Sequence, residues 1–456
     1  MQAHDYRLQN EADIASPQLI YYPAIIRENT RKAIDMAGDV GRLWPHIKTH
    51  KMAEMINMQR EMGIDRFKCA TVAELALAAC CGASHALMAY PLVGPNIEKF
   101  LGVAAACPAT RFYAIVDSPA GFSMLEAACA ARGIAVDWLA DVDMGMHRTG
   151  LPLDEVAAFC RARRGSAWLR FQGMHCYDGH IGQRDLAERR AAAAPAAQAV
   201  RGIRAALSAD GIEAPIIILG GSPSFPCHAG EEDVYLSPGT VFIWDWGYLN
   251  KCPDLPFVPG AAILTRVISH PAPGWFTLDL GYKAISADPK GARGLLLDLP
   301  EAEPLFQSEE HWVWKMPQGQ DAAPPAVGSA LYVIPTHICP TTALYPYVLI
   351  AEGGQVTGRW VVAARDRSSF TTCQPSGIID TLSRGGVRDA QAIVFSVAAC
   401  ARAVLGDEPD GDGRRGTAAY CRNTLRCADA GAAGGAAEPA RANGPAAGVP
   451  GACAGC

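Results

Sequence analysis

Short β-rich runs alternate with alanine-rich helical runs between residues 20 and 250. Runs of Val, Ile, Leu and Phe bounded by polar turns predict strands, and longer runs with an apolar face predict helices. The strand candidates are Leu43–Thr49, Arg66–Thr71, His85–Tyr90, Arg111–Val116, Val136–Val142, Leu169–Tyr177, Ile216–Gly220 and Val234–Ser237. The helix candidates are Ala73–Cys81, Ile97–Ala106, Gly121–Arg132, Leu153–Arg163 and Arg184–Ala209.

Eight predicted strands that alternate with helices indicate an α/β fold built on a parallel (β/α)8 barrel. The alternative is an open doubly wound sheet. That fold commonly carries an early GxGxxG motif after its first strand, and no such motif stands there in this chain.

The pattern changes at about Phe257, where β-rich runs separated by Gly/Pro turns replace the alternation. They are Ala261–Ser269, Trp275–Asp279, Gly328–Ile334 and Val356–Ala363, with no amphipathic helix predicted between them. These runs predict an antiparallel β domain that follows the barrel. We therefore expect an N-terminal segment (1–19) that joins the β domain, a barrel (20–255), the β domain (256–367) and a low-complexity tail (368–456). The tail is rich in Ala, Gly, Pro and Asp and is predicted to be disordered.

Composition narrows the range of partners. The chain has 456 residues, of which 50% are hydrophobic, and a net charge of -6 without a long basic run. This balance argues against nucleic acid or an anionic membrane as a partner. No apolar run is long enough for a transmembrane helix, and the polar N-terminus lacks signal-peptide features, so we expect a cytoplasmic protein. Most of the 16 cysteines stand singly in apolar or loop contexts, as small buried residues do.

The run Pro45-His46-Ile47-Lys48-Thr49-His50-Lys51 ends the first predicted strand. Alpha/beta folds place their chemistry at the carboxyl ends of their strands. A lysine held there in a dry pocket can lose its proton and form a Schiff base with a carbonyl. Taken alone, such a lysine is more often a solvated charge, so the interpretation depends on the neighbouring motifs.

Four further motifs end later strands. Asp141–Gly150 carries Arg148 in an acidic turn, and Gly173–His180 carries Tyr177 and His180. Leu219–Ser224 and Ser237–Thr240 are Gly- and Ser-containing turns after the seventh and eighth strands, where barrels commonly bind phosphate. A lysine, an arginine, a tyrosine and a phosphate cup at one end of a barrel match what pyridoxal phosphate requires of a protein.

The order PHIKTHK, DMGMHRTG, YDGH, GGSPS and PGT resembles the D-threonine aldolase and D-serine dehydratase family over about residues 20–366. These are pyridoxal phosphate enzymes with an alanine-racemase-like fold. The resemblance implies that Lys48 forms the Schiff base and that Arg148 faces the ring oxygen of the cofactor, with Tyr177 beside the ring. It assigns the phosphate to Gly220, Gly221, Ser222, Gly239 and Thr240. Trp44 stands where the family usually has arginine.

His337-Ile338-Cys339 is a candidate metal site. On a strand, residues i and i+2 point to the same face, and imidazole with thiolate suits zinc. Taken alone, a His-x-Cys pair more often arises by chance. The resemblance implies a divalent metal held by His337 and Cys339, with positions left open for water and substrate. Zinc is favoured, with manganese or magnesium as alternatives. Asp279, Lys283 and Gln307–His311 also fit family-like segments, where a carboxylate pair would support the metal, although a solvated turn suits them equally.

The resemblance implies a lyase, dependent on pyridoxal phosphate and metal, that acts on β-hydroxy D-amino acids. Aldolase-type cleavage to glycine and an aldehyde is the first candidate. The alternative is a D-serine dehydratase that releases pyruvate and ammonia, and a third candidate is a carrier of pyridoxal phosphate without turnover. His180 is a candidate base or hydroxyl partner, although a structural role suits it equally. The resemblance also implies a homodimer.

Overall fold

The computed structural model describes residues 5–231, 233–317 and 323–367, with one further strand pair. The strands are β1 (Gln18–Tyr21), β2 (Arg66–Cys69), β3 (His85–Met88), β4 (Arg111–Val116), β5 (Val136–Asp141), β6 (Leu169–Cys176), β7 (Ile216–Leu219), β8 (Tyr235–Leu236), β9 (Ala261–Ser269), β10 (Trp275–Leu278), β11 (Gly294–Leu296), β12 (Glu303–Gln307), β13 (Trp312–Lys315), β14 (Ala330–Pro335), β15 (Tyr347–Glu352), β16 (Gln355–Val361), β17 (Thr371–Thr372) and β18 (Asp380–Thr381). The helices are α1 (Pro23–Ala37), α2 (Ala53–Glu61), α3 (Val72–Cys80), α4 (Pro95–Ala106), α5 (Pro119–Arg132), α6 (Val156–Arg161), α7 (Leu186–Ala209), α8 (Trp246–Lys251) and α9 (Ile338–Leu344).

Apart from β17 and β18, the predicted tail 368–456 lies outside the described residues. Within the described part of the chain, no helix combines the length and the apolar character that crossing a membrane requires.

Strands β2 to β8 form a parallel sheet in chain order, and helices lie between most of them. The predicted parallel barrel is therefore confirmed. Helix starts follow ordinary capping rules: the Thr71 hydroxyl accepts from Glu74 N at α3, and the Ser118 hydroxyl accepts from Gly121 N at α5. Each capping residue ends the loop that follows a strand and begins a helix of the barrel.

The predicted first strand, Leu43–Thr49, is wrong as a regular strand. Leu43 bridges Leu236 of β8 and His46 bridges Lys68 of β2, so this segment closes the barrel through isolated contacts. Pro45 has no backbone N–H to donate to a neighbouring strand, which interrupts a ladder. The chain then turns through a 3₁₀ helix at Ile47–Thr49. Lys48 consequently projects from a turn at the mouth of the barrel.

The interior of the barrel is filled by a small apolar cluster. Its buried members are Trp44, Leu87, Tyr113, Ile115, Leu139, Ile216 and Ile218. The Trp44 ring packs edge-on against Tyr113 and Tyr235, with centroids 5.3 and 5.5 Å away. Trp44 therefore serves as a packing residue in the barrel interior.

The second region is a nine-stranded sheet with the order β12-β13-β10-β9-β1-β15-β16, in which β14 pairs with β9 and β11. All neighbours are antiparallel except β1 and β15, which confirms the predicted antiparallel β domain. The predicted run Ala261–Ser269 is β9 itself. The expectation that no helix interrupts these strands is wrong, because α9 follows β14.

Candidate functional site

A cavity of about 680 Å³ opens where the barrel loops meet α9. Its lining includes most of the residues that the sequence singles out: Lys48, Tyr177, Gly221, Ser222, Gly239, Thr240, His337 and Cys339. Two separate predictions, the lysine with its phosphate turns and the His-x-Cys pair, thus converge on one space. The volume suits a small-molecule ligand or cofactor.

Lys48 lies in the 3₁₀ turn at the edge of this cavity, and its backbone N–H faces His46 Nδ1 at 3.4 Å. Burial lowers the pKa of His46 well below its usual value, and the charges of Lys48 and Lys68 add to this effect. The neighbouring Lys51 is held differently, because its ammonium pairs with the buried Glu74 carboxylate. Among the described residues no carboxylate pairs with Lys48, so its amine is available to a ligand.

The two predicted phosphate turns face each other across Ser222. The Ser222 hydroxyl accepts from Gly239 N at 3.2 Å and from Thr240 N at 2.9 Å. Gly220 has a φ of 82°, and a Cβ there would lie 2.8 Å from Phe225 Cα. A Cβ on Gly221 would lie 2.9 Å from the Tyr177 ring. At Gly220 and Gly221 the backbone leaves no room for a side chain, and two N–H groups of the facing turn point at one oxygen atom. This arrangement has the form of an anion cradle and fits a phosphate group.

A buried network supports this cradle from behind. The Ser224 hydroxyl accepts from Gly221 N at 2.9 Å and donates to Asp178 Oδ1 at 2.5 Å. The other Asp178 oxygen contacts His228 Nε2 at 2.8 Å. Burial alone would lower the pKa of His228, but its hydrogen bonds to Asp178 and Glu231 outweigh that effect and raise the pKa to about 9. The His228 ring therefore carries a positive charge near neutral pH.

Tyr177 lines the cavity, whereas Arg148 and His180 lie outside its lining. The Arg148 guanidinium stands 5.1 Å from the centroid of the Tyr177 ring, in a turn held by the Asp143 carboxylate. Arg148 itself is exposed and lines a shallower recess on the far side of Tyr177. His180 is also exposed and lies against Gly145, outside the lining of the main cavity. Its catalytic role stays a prediction.

The metal pair is close in space, but for a different reason from the one expected. The prediction that His337 and Cys339 share one face of a strand is wrong: β14 ends at Pro335, and His337 is the N-cap of α9. The first turn of the helix brings both side chains close enough for each to shift the pKa of the other. The Cys339 sulfur also lies 3.3 Å from the hydroxyls of Thr49 and Thr240, so it connects α9 to two barrel loops.

The electrostatics of this pair favour a thiolate. Burial would raise the pKa of the Cys339 thiol, but the hydrogen bond and charge of His337, with the charge of Lys48, outweigh it and lower the pKa. Cys339 and Asp288 in turn raise the pKa of His337 to about 9 against the opposing effect of burial. A divalent ion bound here would find an imidazole and a sulfur ligand, a donor set that fits zinc.

The support for His337 comes from a residue that the sequence did not indicate. Asp288 Oδ2 lies 2.6 Å from His337 Nδ1, and the Ser286 hydroxyl holds the other oxygen of Asp288. The expected supports contact other groups: Glu309 and Glu310 pair with Lys283, and Asp279 accepts from Thr265. No group of three or more His, Cys, Asp or Glu side chains suited to a metal occurs among the described residues, so His337 and Cys339 stand as a two-ligand pair.

Two buried residues in the barrel also escaped the sequence analysis. Lys68 and His175 extend into the interior and face each other, with Nζ and Nε2 3.4 Å apart. Lys68 lines the same cavity as Lys48. The available signal was a lysine between Phe67 and Cys69 within a short buried strand, where a charge is rare unless it has a task.

Comparisons with known proteins agree with this architecture. A model of the alanine racemase N-terminal domain matches residues 23–243, and a model of the putative serine dehydratase domain matches residues 260–351. The chain is 28% identical to D-threonine aldolase of Arthrobacter sp., over 78% of this chain and 93% of that protein. It is 26% identical to D-threo-3-hydroxyaspartate dehydratase of Delftia sp., over 69% of this chain and 88% of that protein.

A solved structure points the same way. D-threonine aldolase from Filomicrobium marinum superimposes with a TM-score of 0.71 at 27% identity, over 78% of this chain and 96% of that one. Relatives with two different named reactions, an aldolase and a dehydratase, thus share both regions of the fold. The chain belongs to the D-threonine aldolase/D-serine dehydratase-like family, with an alanine racemase N-terminal domain.

Proposed function

We propose that this protein is a pyridoxal phosphate- and metal-dependent lyase that cleaves β-hydroxy D-amino acids at the Cα–Cβ bond. The observation that carries the proposal is the opening of Lys48, the phosphate cradle and the His337–Cys339 pair into one cavity. A carrier of the cofactor would have no use for the metal pair. Two relatives that match most of both chains are named as a D-threonine aldolase and a D-threo-3-hydroxyaspartate dehydratase, and both names refer to β-hydroxy D-amino acids.

The residues fit the cofactor in distinct roles. Lys48 would hold it as a Schiff base, and Gly220, Gly221, Ser222 and the Gly239–Thr240 turn would take the phosphate group. When bound, pyridoxal phosphate supplies an electron sink for a bond broken at Cα. Tyr177 limits the space beside Gly221 and would thus orient the ring.

The metal pair fits a role at the β-hydroxyl of the substrate. His337 and Cys339 would hold a divalent ion, zinc by preference, which would supply Lewis-acid polarisation of that oxygen. Asp288 keeps the His337 ring oriented, and Thr49 and Thr240 keep the Cys339 sulfur at the cavity wall. Because Thr240 also belongs to the phosphate cradle, one loop sets the distance between that cradle and the His337–Cys339 pair.

Proton transfer distinguishes the two candidate reactions. In cleavage, a base would take the hydroxyl proton, and His180 remains the predicted candidate. In dehydration, Lys48 Nζ would take the α-proton. The soft His-x-Cys pair is the specific observation in favour of the second candidate, D-serine dehydratase-type elimination, because it resembles that branch of the family.

One substrate separates the alternatives. D-threonine would be incubated with the zinc-loaded holoenzyme and the products assayed, with L-threonine and the Lys48→Ala variant as controls. Glycine and acetaldehyde in equal amounts would support the aldolase, whereas 2-oxobutanoate and ammonia would establish the dehydratase. D-serine and D-threo-3-hydroxyaspartate extend the test to other β-substituents. Cofactor binding without any product would identify a carrier. The homodimer stays a prediction.

A further inference from the structure

Lys68 is a buried cation that no role proposed above uses. It lies on β2 with 2% of its surface exposed, and its backbone N–H donates to Pro45 O at 2.8 Å. Its neighbours Phe67 and Cys69 belong to the main core between sheet and helices. Because side chains alternate along a strand, Lys68 points the other way, into the barrel. The ammonium thus ends on the floor of the cavity that Lys48 lines at its edge.

Two acceptors hold the ammonium in place. It donates to the Ser237 hydroxyl at 2.6 Å, and that hydroxyl donates to Gly220 O at 3.0 Å. The second partner is His175 Nε2 at 3.4 Å. His175 Nδ1 lies 2.7 Å from Asp141 Oδ1, and because a carboxylate accepts, the ring hydrogen belongs on Nδ1. Nε2 of the neutral ring is then free to accept from Lys68.

These contacts leave the ammonium incompletely satisfied. A lysine ammonium has three donors, and only two acceptors contact it among the described residues. No carboxylate of the described part of the chain lies within hydrogen-bond distance of it. Burial lowers the pKa of Lys68 to about 7, with the charges of Lys48 and Arg148 adding to the effect and those of Asp141 and Asp178 opposing it. The titratable and charged groups that face it are His46, Lys48, Asp141, Arg148, His175, Tyr177 and Asp178.

The position of Lys68 relative to the cradle indicates which ligand could accept a hydrogen bond from the third N–H of its ammonium. Through Ser237 it is linked to Gly220, the first residue of the phosphate cradle. The Tyr177 ring lies 5.1 Å from its ammonium, as it does from the Arg148 guanidinium. A ring bound between Lys48 and the cradle would lie above this floor and would bring acceptor atoms of its own, a pyridine nitrogen and a phenolate oxygen. A buried cation without a carboxylate is costly unless a ligand completes it.

We propose that Lys68 is a second cofactor residue, which donates a hydrogen bond to an acceptor atom on the pyridine ring of bound pyridoxal phosphate without forming a covalent bond to it. The proposal rests on the proposed function. Ser237 and His175 hold the Lys68 amine on the floor of the cavity. Lys48, at the edge of the cavity, then remains the lysine that reacts with the aldehyde of the cofactor. Lys68 then sets the charge on the ring, and with it the strength of the electron sink.

The test compares Lys68→Met with the wild type. The readouts are the dissociation constant for pyridoxal phosphate, the pH titration of its visible absorption band and the melting temperature of the cofactor-free protein. We expect affinity about tenfold to a hundredfold weaker, from the loss of one charge-assisted hydrogen bond. We also expect a displaced band titration and a melting temperature that does not fall. Lys32→Met, on α1 outside the cavity lining, is the matched control and should leave the affinity and the band titration unchanged.

A purely structural lysine predicts the opposite pattern, with a lower melting temperature and an unchanged affinity and band titration. That result would overturn the proposal, as would borohydride reduction that attaches the cofactor to Lys68 in the wild type. If Lys68→Met does not fold, Lys68→Gln, which keeps donors for Ser237 and His175, should show the displaced titration. A wild type that binds no pyridoxal phosphate would instead defeat the proposed function itself.

Discussion

Raising the pH above 9 should loosen the support of the phosphate cradle, because His228 then loses its proton and no longer offers a positive charge to Asp178. Both side chains are 2% exposed, and the Ser224 hydroxyl connects them to Gly221. The folded pKa of His228 is raised from 6.5 to about 9. At 1.36 kcal/mol for each pKa unit, this shift corresponds to about 3 kcal/mol of stability.

The sign follows from the direction of the shift. A histidine with a raised pKa in the folded state contributes its full stabilisation below the unfolded pKa near 6.5. The contribution falls as the pH rises and is lost once the pH passes about 9. Lys68 acts in the opposite direction, since its pKa is lowered and its burial costs least when it is neutral. A comparison of variants is therefore needed to isolate His228.

The assay is urea unfolding of the wild type and His228→Gln at pH 6 and pH 10. We expect the wild type to lose about 3 kcal/mol more than the variant across this range. Lys68 is present in both proteins, so its contribution cancels in the difference. His270→Gln removes an exposed histidine far along the chain and should behave as the wild type does. Equal pH dependence of the wild type and His228→Gln would refute the assignment of a charged, stabilising pair.

Three further predictions concern the site itself. Gly221→Ala should weaken pyridoxal phosphate binding about tenfold, because the new Cβ meets the Tyr177 ring at 2.9 Å. Gly230→Ala is the control, since a Cβ there meets nothing within 4 Å. Equal affinities of the two variants would contradict the cradle. Asp288→Asn should lower zinc affinity about tenfold or more, measured by competition with a chromogenic chelator, since it removes the carboxylate that orients His337; unchanged affinity would exclude this role. Cys339→Asp should shift metal preference from zinc towards manganese, measured by metal content after dialysis against both ions, and a retained zinc preference would count against the thiolate as a ligand.

Patterns of local periodicity predicted the architecture well where one strand or helix carries its own signal. The β-rich run Ala261–Ser269 identifies β9, and most barrel strands begin where the sequence places them. The prediction of a strand at Leu43–Thr49 was wrong because Pro45 has no backbone N–H to donate to a neighbouring strand. This apolar run therefore closes the barrel through isolated bridges. Helix α9 was not predicted because it has only seven residues and follows closely on the apolar run of β14.

The candidate site was predictable where short motifs carry it. Lys48, the two Gly-containing turns and the His-x-Cys pair each read as chemistry in sequence, and the fold brings them to one cavity. Asp288 lies 49 residues before His337, and no local pattern connects them. Lys68 was missed for a related reason: a single charge in a strand acquires meaning only when the barrel places Ser237 and His175 around it.

The attachment site of the cofactor tests the central claim most directly. The wild-type protein loaded with pyridoxal phosphate would be reduced with borohydride, digested and mapped by mass spectrometry. The account predicts a pyridoxyl group on Lys48, and its disappearance from that peptide in Lys48→Ala. Attachment to another lysine, or no attachment in a protein that binds no cofactor, would contradict it.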